Sequence, residues 1–350
     1  MRMSRPFFSI IIPIYNGSAF LRETIKSVEI QSFLDWEIIA IDDCSTDNSV
    51  QCVLDAKSEN SKIRLFFHEE SHGGPFAARN TALDHASGKY LIFLDQDDLL
   101  VEGALDHLAQ LAKRCKSDAV RGVRLSLKKG REKNMNGFLP SSPITTQFRE
   151  KPELWRGENF AAWIFNREFV LNNGLIFLDV IGHDDKVFLL QALTAARSLT
   201  ISRIPLVKYR RRHTSLQGRK NSRSMLDNIR AHGKMMDILW ETGNEKALAF
   251  RFDRIDFPAI AGMCAWASIH VNKVEQKVFF EQAAAILNRA EIRDLGPLRS
   301  EYHVLFVCLK ERKSDSLLRL LQKYSHRLLP YPWWRVLWNK GLAVVNTRKK

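Results

Sequence analysis

The sequence predicts an α/β fold, a doubly wound and mostly parallel central sheet with helices on both faces, followed by a helical C-terminal part. Three observations predict it. The first hundred residues alternate short apolar runs with helix-length stretches. The apolar runs are near-continuous, not alternating, which marks strands buried on both faces as in parallel sheets. From about residue 220 onward the pattern is helical, with no further strand-like run. With 350 residues, 45% of them hydrophobic, the chain is long enough for about two domains and a sizeable core.

Strands are expected at "FFSIIIPI" (7–14), "WEIIAI" (36–41), "IRLFF" (63–67) and "YLIFL" (90–94). Between them, "SAFLRETIKSVEIQS" (18–32), "STDNSVQCVLDAKSEN" (45–60) and "GPFAARNTALDHASG" (74–88) read as helices. Ser45 or Thr46 can cap the second helix, with Asp47 favourable in its first turn. Gly88 is expected to close the third. The result is βαβαβαβ, the signature of a doubly wound sheet. Residues 128–158, rich in Gly, Pro, Ser and charge, read as a long connection, and such loops are often functional. A second apolar and helical section runs from Phe160 to about Tyr209. The boundaries that follow are 1–215, divided near residue 110, and 216–350.

Charge is unevenly spread over the net +14. Residues 1–110 hold 9 Lys+Arg against 17 Asp+Glu, whereas the remainder holds 44 against 22. A uniformly basic nucleic-acid binder would not divide this way, so no nucleic-acid partner is expected. An acidic first part suits cations, and a basic remainder suits polyanions or an anionic membrane surface. The five cysteines are odd in number and scattered, with no CxxC pair, which points to reduced thiols in a cytosolic compartment. The first apolar run ends at Pro13 without a small-residue cleavage site, so a core strand is expected there, not a signal peptide. No run reaches the roughly 18 apolar residues that span a bilayer, and the chain is expected to be soluble or peripheral.

The acidic residues gather where such a sheet binds ligands, beyond the carboxyl ends of its strands. The first strand delivers Pro13 to Asn16 to that edge, the second Asp42 and Asp43, and the fourth Asp95 and Asp97. Neither G-x-G-x-x-G nor G-x-x-x-x-G-K-[ST] is present, so the Rossmann dinucleotide and Walker readings lose their main support. A nucleotide can still bind through carboxylates and a metal. Asp43 can accept hydrogen bonds from a base or ribose, and Asp97 can hold a hard divalent cation that bridges a diphosphate. Asp42 reads as a turn or cap residue, and Asp98 as the cap of "LLVEGALDHL".

At these residues the sequence resembles a known family, the inverting family 2 nucleotide-sugar glycosyltransferases of GT-A fold. The resemblance covers roughly residues 7–215. It rests on an ordered set: "SIIIPIYN", "WEIIAIDDCSTDNS", "GGPFAARNTALDHASGKYLIFLDQDD", "GHDDKVFLLQAL" and "YRRRHTS". It implies that Pro13, Tyr15 and Asn16 frame the uridine and that Asp43 pairs with uracil. It implies that Arg79 and Asn80 lie near the nucleotide diphosphate. Asp95 and Asp97 would be the D-x-D, with Asp97 the direct ligand of Mn²⁺ or Mg²⁺ and Asp95 near ribose or metal-bound water. "DDKVF" (184–188) matches the family's E-D-x-x-F, whose aspartate is the catalytic base. Asp185 takes that position, and Asp184 stands where Glu is usual, so both are candidates. Arg210, Arg212 and His213 would close over the phosphates. The implied reaction is single displacement at a sugar C1, with the metal easing departure of the diphosphate and a carboxylate deprotonating the acceptor hydroxyl. Implied partners are a UDP-sugar donor and a glycan or lipid-linked glycan acceptor of a lipopolysaccharide, capsule or similar surface polysaccharide.

Simpler roles compete at several positions. Arg79 can belong to a solvated helix face. Trp163 reads as core and Trp155 as ambiguous. Trp334, Trp338, Leu342 and Val345 share one helical face near the chain end, with Arg335 and Lys340 off it. That pattern suits either an interfacial helix on an anionic leaflet at the inner face of the cytoplasmic membrane or a helix docked on a core. Two rival functions remain. "LIFLDQDD" resembles the haloacid-dehalogenase phosphatase motif, with Asp95 as nucleophile and Asp97 as acid, although it continues with Asp98 and Leu99 where that family has Gly then Thr or Val. The other is a non-enzymatic nucleic-acid or membrane binder.

Overall fold

Four strands from the first hundred residues lie parallel: β1 (Phe8–Ile14), β2 (Trp36–Asp42), β3 (Ile63–Phe67) and β4 (Tyr90–Phe93). This is a computed structural model, and it describes residues 5–128, 131–134, 139–151, 160–210, 221–243 and 256–292. Every residue of β1, β2 and β4 is buried, which is why their apolar runs are unbroken. The register pairs Phe8 with Trp36 and Ile14 with Asp42, so β1 and β2 end together at one edge.

The rest of the sheet is added by β5 (Leu99–Leu100), β6 (Ala119–Lys128), β7 (Arg131–Asn134), β8 (Ile144–Thr146), β9 (Trp163–Asn166) and β10 (Leu199–Arg210). The main order is β3-β2-β1-β4-β9-β6-β10-β5. The second half departs from the mostly parallel expectation: β9 runs antiparallel to both β4 and β6, while β6 and β10 are parallel. β7 and β8 fall inside the stretch expected to be one long connection. Trp163 is buried in β9, as a core residue.

Helices α1 (Ser18–Glu29), α2 (Ser49–Glu59), α3 (Pro75–His85), α4 (Ala104–Cys115), α5 (Arg167–Asn172) and α6 (Asp184–Ala195) complete the first of two compact units, Met1–Gly218. Leu21, Ile25 and Val28 of α1 and Leu105, Leu108 and Ala112 of α4 share one core cluster with the strands. A second cluster is aromatic: Phe93, Phe160, Phe165, Phe177 and Phe188 pack together, with the Phe177 and Phe188 rings stacked at 4.1 Å.

Three local expectations are corrected. Helix α2 begins at Ser49, not near Ser45, because Asp47 Oδ1 accepts from the Ser49 amide at 2.9 Å and sets the start there. Helix α3 ends at His85, and Gly88 lies beyond it. A Cβ on Gly88 would come within 2.5 Å of the Ser9 amide nitrogen, so close packing on β1 requires the glycine. Asp98 does not cap a helix: β5 follows it, and α4 starts only after Gly103, which sits at φ 72°. Asp98 Oδ1 accepts instead from the Arg210 amide at 3.0 Å.

The second unit is Arg219–Lys350. Its described part is helical: α7 (Ser222–Glu241), α8 (Phe257–His270) and α9 (Lys273–Ile292). Asn221 caps α7 reciprocally with Ser224. No described helix is long and apolar enough to cross a membrane. Trp155, Arg212, His213 and the residues of the basic, Trp-bearing end (Trp334, Arg335, Trp338, Lys340, Leu342, Val345) lie outside the described residues. Cys44, Cys52, Cys115 and Cys264 are free thiols.

Candidate active site at the carboxyl edge of the sheet

Two loops leave the adjoining ends of β1 and β2 and are tied to each other. The Asp43 amide donates to Ile14 O at 2.8 Å. Asn16, at φ 48°, receives the Thr46 amide on its Oδ1 at 2.8 Å, and its own amide donates to Ser45 Oγ at 3.0 Å. The Ser45 amide donates to Asp42 Oδ2 at 3.0 Å, so Asp42 shapes the turn. Ser45 and Thr46 thus pin the two loops together, not a helix end. Pro13 is buried within β1, and Tyr15 is exposed at its end.

The D-x-D loop is fastened to the same place by a residue that the motif leaves unspecified. The Tyr15 amide donates to Gln96 Oε1 at 2.9 Å, and Gln96 Nε2 donates back to Tyr15 O at 2.8 Å. Thr24 of α1 donates to Gln96 O at 2.9 Å. A Cβ on Gly17 would fall 2.2 Å from Gln96 Oε1, so Gly17 leaves room for this clip. Tyr15 and the Asp95–Asp97 loop therefore share one edge.

Arg79 joins the next two acids. Its Nη2 donates to Asp95 Oδ1 and its Nη1 to Asp184 Oδ2, both at 2.7 Å. The guanidinium is buried against the aromatic cluster, 5.4 Å from the Phe160 and Phe177 ring centres. A solvated helix-face role is thereby ruled out. Burial disfavours its charge, but Asp184, Asp95 and Asp185 outweigh that and hold Arg79 firmly protonated. Burial in turn pushes the Asp184 carboxyl up to about 7, with Arg79 opposing. The Asn80 amide, one residue on, pairs with both backbone groups of Phe177, at 2.8 and 2.9 Å, and so fixes the segment leading to α6.

Asp184 and Asp185 open α6 but differ sharply in setting. Asp184 is buried on Arg79, whereas Asp185 is half-buried, with Oδ1 accepting from the Lys186 amide at 2.8 Å. Arg210, at the end of β10, donates through Nε to Asp97 O at 3.1 Å and through Nη2 to Glu23 at 2.6 Å.

The donor set at the D-x-D suits a hard cation. Asp95 and Asp97 offer carboxylate oxygens, the ligands of Mg²⁺ and Mn²⁺. Asp98 beside them is buried, and its Oδ2 has no hydrogen-bond partner. Burial first, then the charges of Asp95 and Asp97, raise its carboxyl well above the usual range. The repulsion that Asp98 feels from Asp95 and Asp97 is one that a divalent cation would relieve.

Asp43, the expected uracil contact, lies in a cluster that the motifs do not anticipate. His68 Nδ1 is 2.8 Å and His72 Nδ1 3.0 Å from Asp43 Oδ1, and Ser71 Oγ donates to Oδ2 at 2.9 Å. Burial opposes ionisation of Asp43, but the hydrogen bonds from His68, His72 and Ser71 prevail and hold its pKa below the usual value.

Comparison with known proteins shows what the chain is similar to. Residues 9–172 match the family model "Glycosyl transferase family 2". The GalNAc(5)-diNAcBac-PP-undecaprenol beta-1,3-glucosyltransferase of Campylobacter jejuni is 39% identical over 107 residues, 31% of this chain and 35% of that protein. The poly(ribitol-phosphate) beta-N-acetylglucosaminyltransferase TarS of Staphylococcus aureus is 31% identical over 142 residues, 40% of this chain and 24% of that protein. The alignments thus span about a third or less of these relatives' own lengths. The crystal structure of S. aureus TarS 1–349 in complex with UDP-GlcNAc superposes with a TM-score of 0.74 at 18% identity, covering 91% of each chain. That likeness carries the fold, and the architecture is GT-A. The matching family is neither of the rivals, a phosphatase or a nucleic-acid binder. Residues 9–172 are thus what this chain shares with glycosyltransferase family 2.

Proposed function

We propose that this chain is an inverting, metal-dependent glycosyltransferase that moves a sugar from a UDP-sugar to a hydroxyl of a growing surface glycan. The observation that carries the reading is the convergence of Tyr15, Asp95 and Asp184 through two contacts, the Gln96–Tyr15 clip and the Arg79 bridge. Relatives named for glucosyl and N-acetylglucosaminyl transfer support the substrate class. Residues 1–110 bind the nucleotide, 111–215 carry acceptor and base, and 216–350 support or anchor the enzyme.

Pro13, Tyr15 and Asn16 frame the uridine, and Asp43 accepts from the base. Asp97, with Asp95, would hold Mn²⁺ or Mg²⁺, which when bound would supply positive charge against the leaving diphosphate. Arg79 acts mainly through Asp95 and Asp184, fixing both carboxylates so that the metal and acceptor halves keep one geometry. Asp185, half-buried beside the immobilised Asp184, is the base that takes the acceptor hydroxyl proton as that oxygen attacks C1. Asp184 serves as its positioning residue. Asn80 positions α6 by gripping Phe177. Single displacement inverts the anomeric centre and needs no second carboxylate beneath the sugar. The acceptor is a glycan or lipid-linked glycan, met at the cytoplasmic membrane face.

The test incubates the chain and Mn²⁺ with UDP-glucose, UDP-galactose and their N-acetyl forms, following UDP release and the anomeric proton of any product. Turnover of one donor with a β-product from an α-donor supports the proposal. Retention of configuration, or phosphate release from a simple ester, contradicts it.

A further inference from the structure

We infer that Asp43, His68 and His72 form a second metal site, one for a transition-metal ion of the Zn²⁺ class, separate from the D-x-D carboxylates. The inference does not rest on the proposed transfer reaction; Asp43 cannot hold an ion and accept from a base at once, so Zn²⁺ and UDP would exclude each other at this residue. Asp43 ends the β2 edge, His68 follows β3, and His72 lies in the loop before α3, so three segments bring one ligand atom each to a common point. The ligand atoms all lie within 4.8 Å of one another, and each imidazole Nδ1 is 2.8–3.0 Å from Asp43 Oδ1. Ligands about 2.0–2.1 Å from a tetrahedral Zn²⁺ stand roughly 3.3 Å apart. The cluster needs only small adjustments to meet that spacing.

The surroundings are those of a metal site. His68 Nε2 is 2.9 Å from Thr81 Oγ1. A hydroxyl can donate or accept, so Thr81 allows His68 to release its Nδ1 proton and carry the proton on Nε2 instead. That outward N–H bond is the usual means of fixing a ligating histidine. Ser71 Oγ and the His72 amide hold Asp43 Oδ2 at 2.9 and 3.1 Å, which orients the carboxylate. His68 and Asp43 are 9% and 5% exposed in their side chains, whereas His72 is 36% exposed. An ion can therefore enter past His72, and water can fill the remaining position.

Ligand chemistry separates this site from the other. Two imidazoles and one carboxylate favour Zn²⁺, Cu²⁺, Ni²⁺ or Co²⁺, while carboxylates alone favour Mg²⁺ and Mn²⁺. Millimolar Mg²⁺ should not displace the ion from Asp43, His68 and His72.

The test uses the full chain freed of metal by chelator, then titrated with Zn²⁺ against a chromophoric chelator in millimolar Mg²⁺, and with Co²⁺ by visible absorption. The wild type should show one tight Zn²⁺ equivalent that His72→Gln and His68→Gln each weaken at least tenfold. Thr81→Val should weaken it less, and Asp97→Ala should leave it unchanged. Because His72 is partly exposed, His72→Gln should fold normally, which circular dichroism checks. Absence of that equivalent in folded wild type would overturn the inference. So would a Zn²⁺ affinity that neither histidine substitution alters.

Discussion

Gln96 and Tyr15 exchange two hydrogen bonds, amide to Oε1 at 2.9 Å and Nε2 to carbonyl at 2.8 Å, across 81 residues of sequence. This pairing fastens the D-x-D loop to the carboxyl end of β1. Gln96→Ala removes both bonds, and stability is expected to fall by about 1–2 kcal/mol in urea unfolding. UDP affinity in Mn²⁺ is expected to fall about fivefold or more, because the two loops lose their common anchor. Gly17→Ala should weaken UDP binding likewise, since its Cβ would displace Gln96. Unchanged UDP affinity in both variants would remove Gln96 from the account.

Arg79 bridges Asp95 and Asp184. Arg79→Met leaves Asp184 buried and unpaired, and breaking such a pair costs about 3–5 kcal/mol. The loss should depend on pH. Burial holds the Asp184 carboxyl at about 7 even beside Arg79, and loss of that cation raises it further, so the folded variant binds more protons than folded wild type. The variant's loss of stability relative to wild type should therefore grow as pH rises through about 7, and urea unfolding of both at pH 5 and pH 8 measures this. Equal losses at the two pH values would contradict it.

Glu37, buried within β2, reports on the fold alone. Burial raises its pKa, but bonds from Ser9, Ser87 and Arg64 lower it further than burial raises it, and the net value lies below 4.5. A depressed carboxylate contributes stability that is full above the unfolded pKa and is lost as pH falls through the folded one. Glu37→Gln should be less stable than wild type by about 1–3 kcal/mol at pH 7, with the difference shrinking below pH 4.5. Thermal unfolding of both proteins across that range checks the sign.

Asp185 and Asp184 should separate by readout. Asp185→Asn is expected to lower turnover about 10²- to 10⁴-fold with fold and UDP affinity intact, as loss of a general base does. Asp184→Asn should lower stability as well, because it discharges one partner of Arg79. Turnover retained in Asp185→Asn would move the base role elsewhere.

The four parallel strands were legible because burial on both faces leaves an unbroken apolar run, as in β1 with all seven residues buried. The D-x-D and the acidic pair opening α6 were legible as motifs. What holds them together was not. Arg79 meets Asp184 across 105 residues, and Arg210 meets Asp97 across 113, and no local pattern encodes such contacts. Gln96 carries no charge, so the motif reads past it. Ser45 and Thr46 look like caps but serve Asn16. His68 and His72 are spaced i, i+4 in a loop, where that spacing has no helical meaning. Asp43 brings them together only once β2 and β3 are paired.

Isothermal titration of UDP into wild type and Asp97→Ala, each with and without Mn²⁺, tests the central idea most directly. Wild-type binding that strengthens at least tenfold with Mn²⁺, and an Asp97→Ala protein that folds but shows no such gain, are the expected results. UDP binding of equal strength in all four titrations would contradict it, because the acidic edge would then hold no diphosphate-bridging ion.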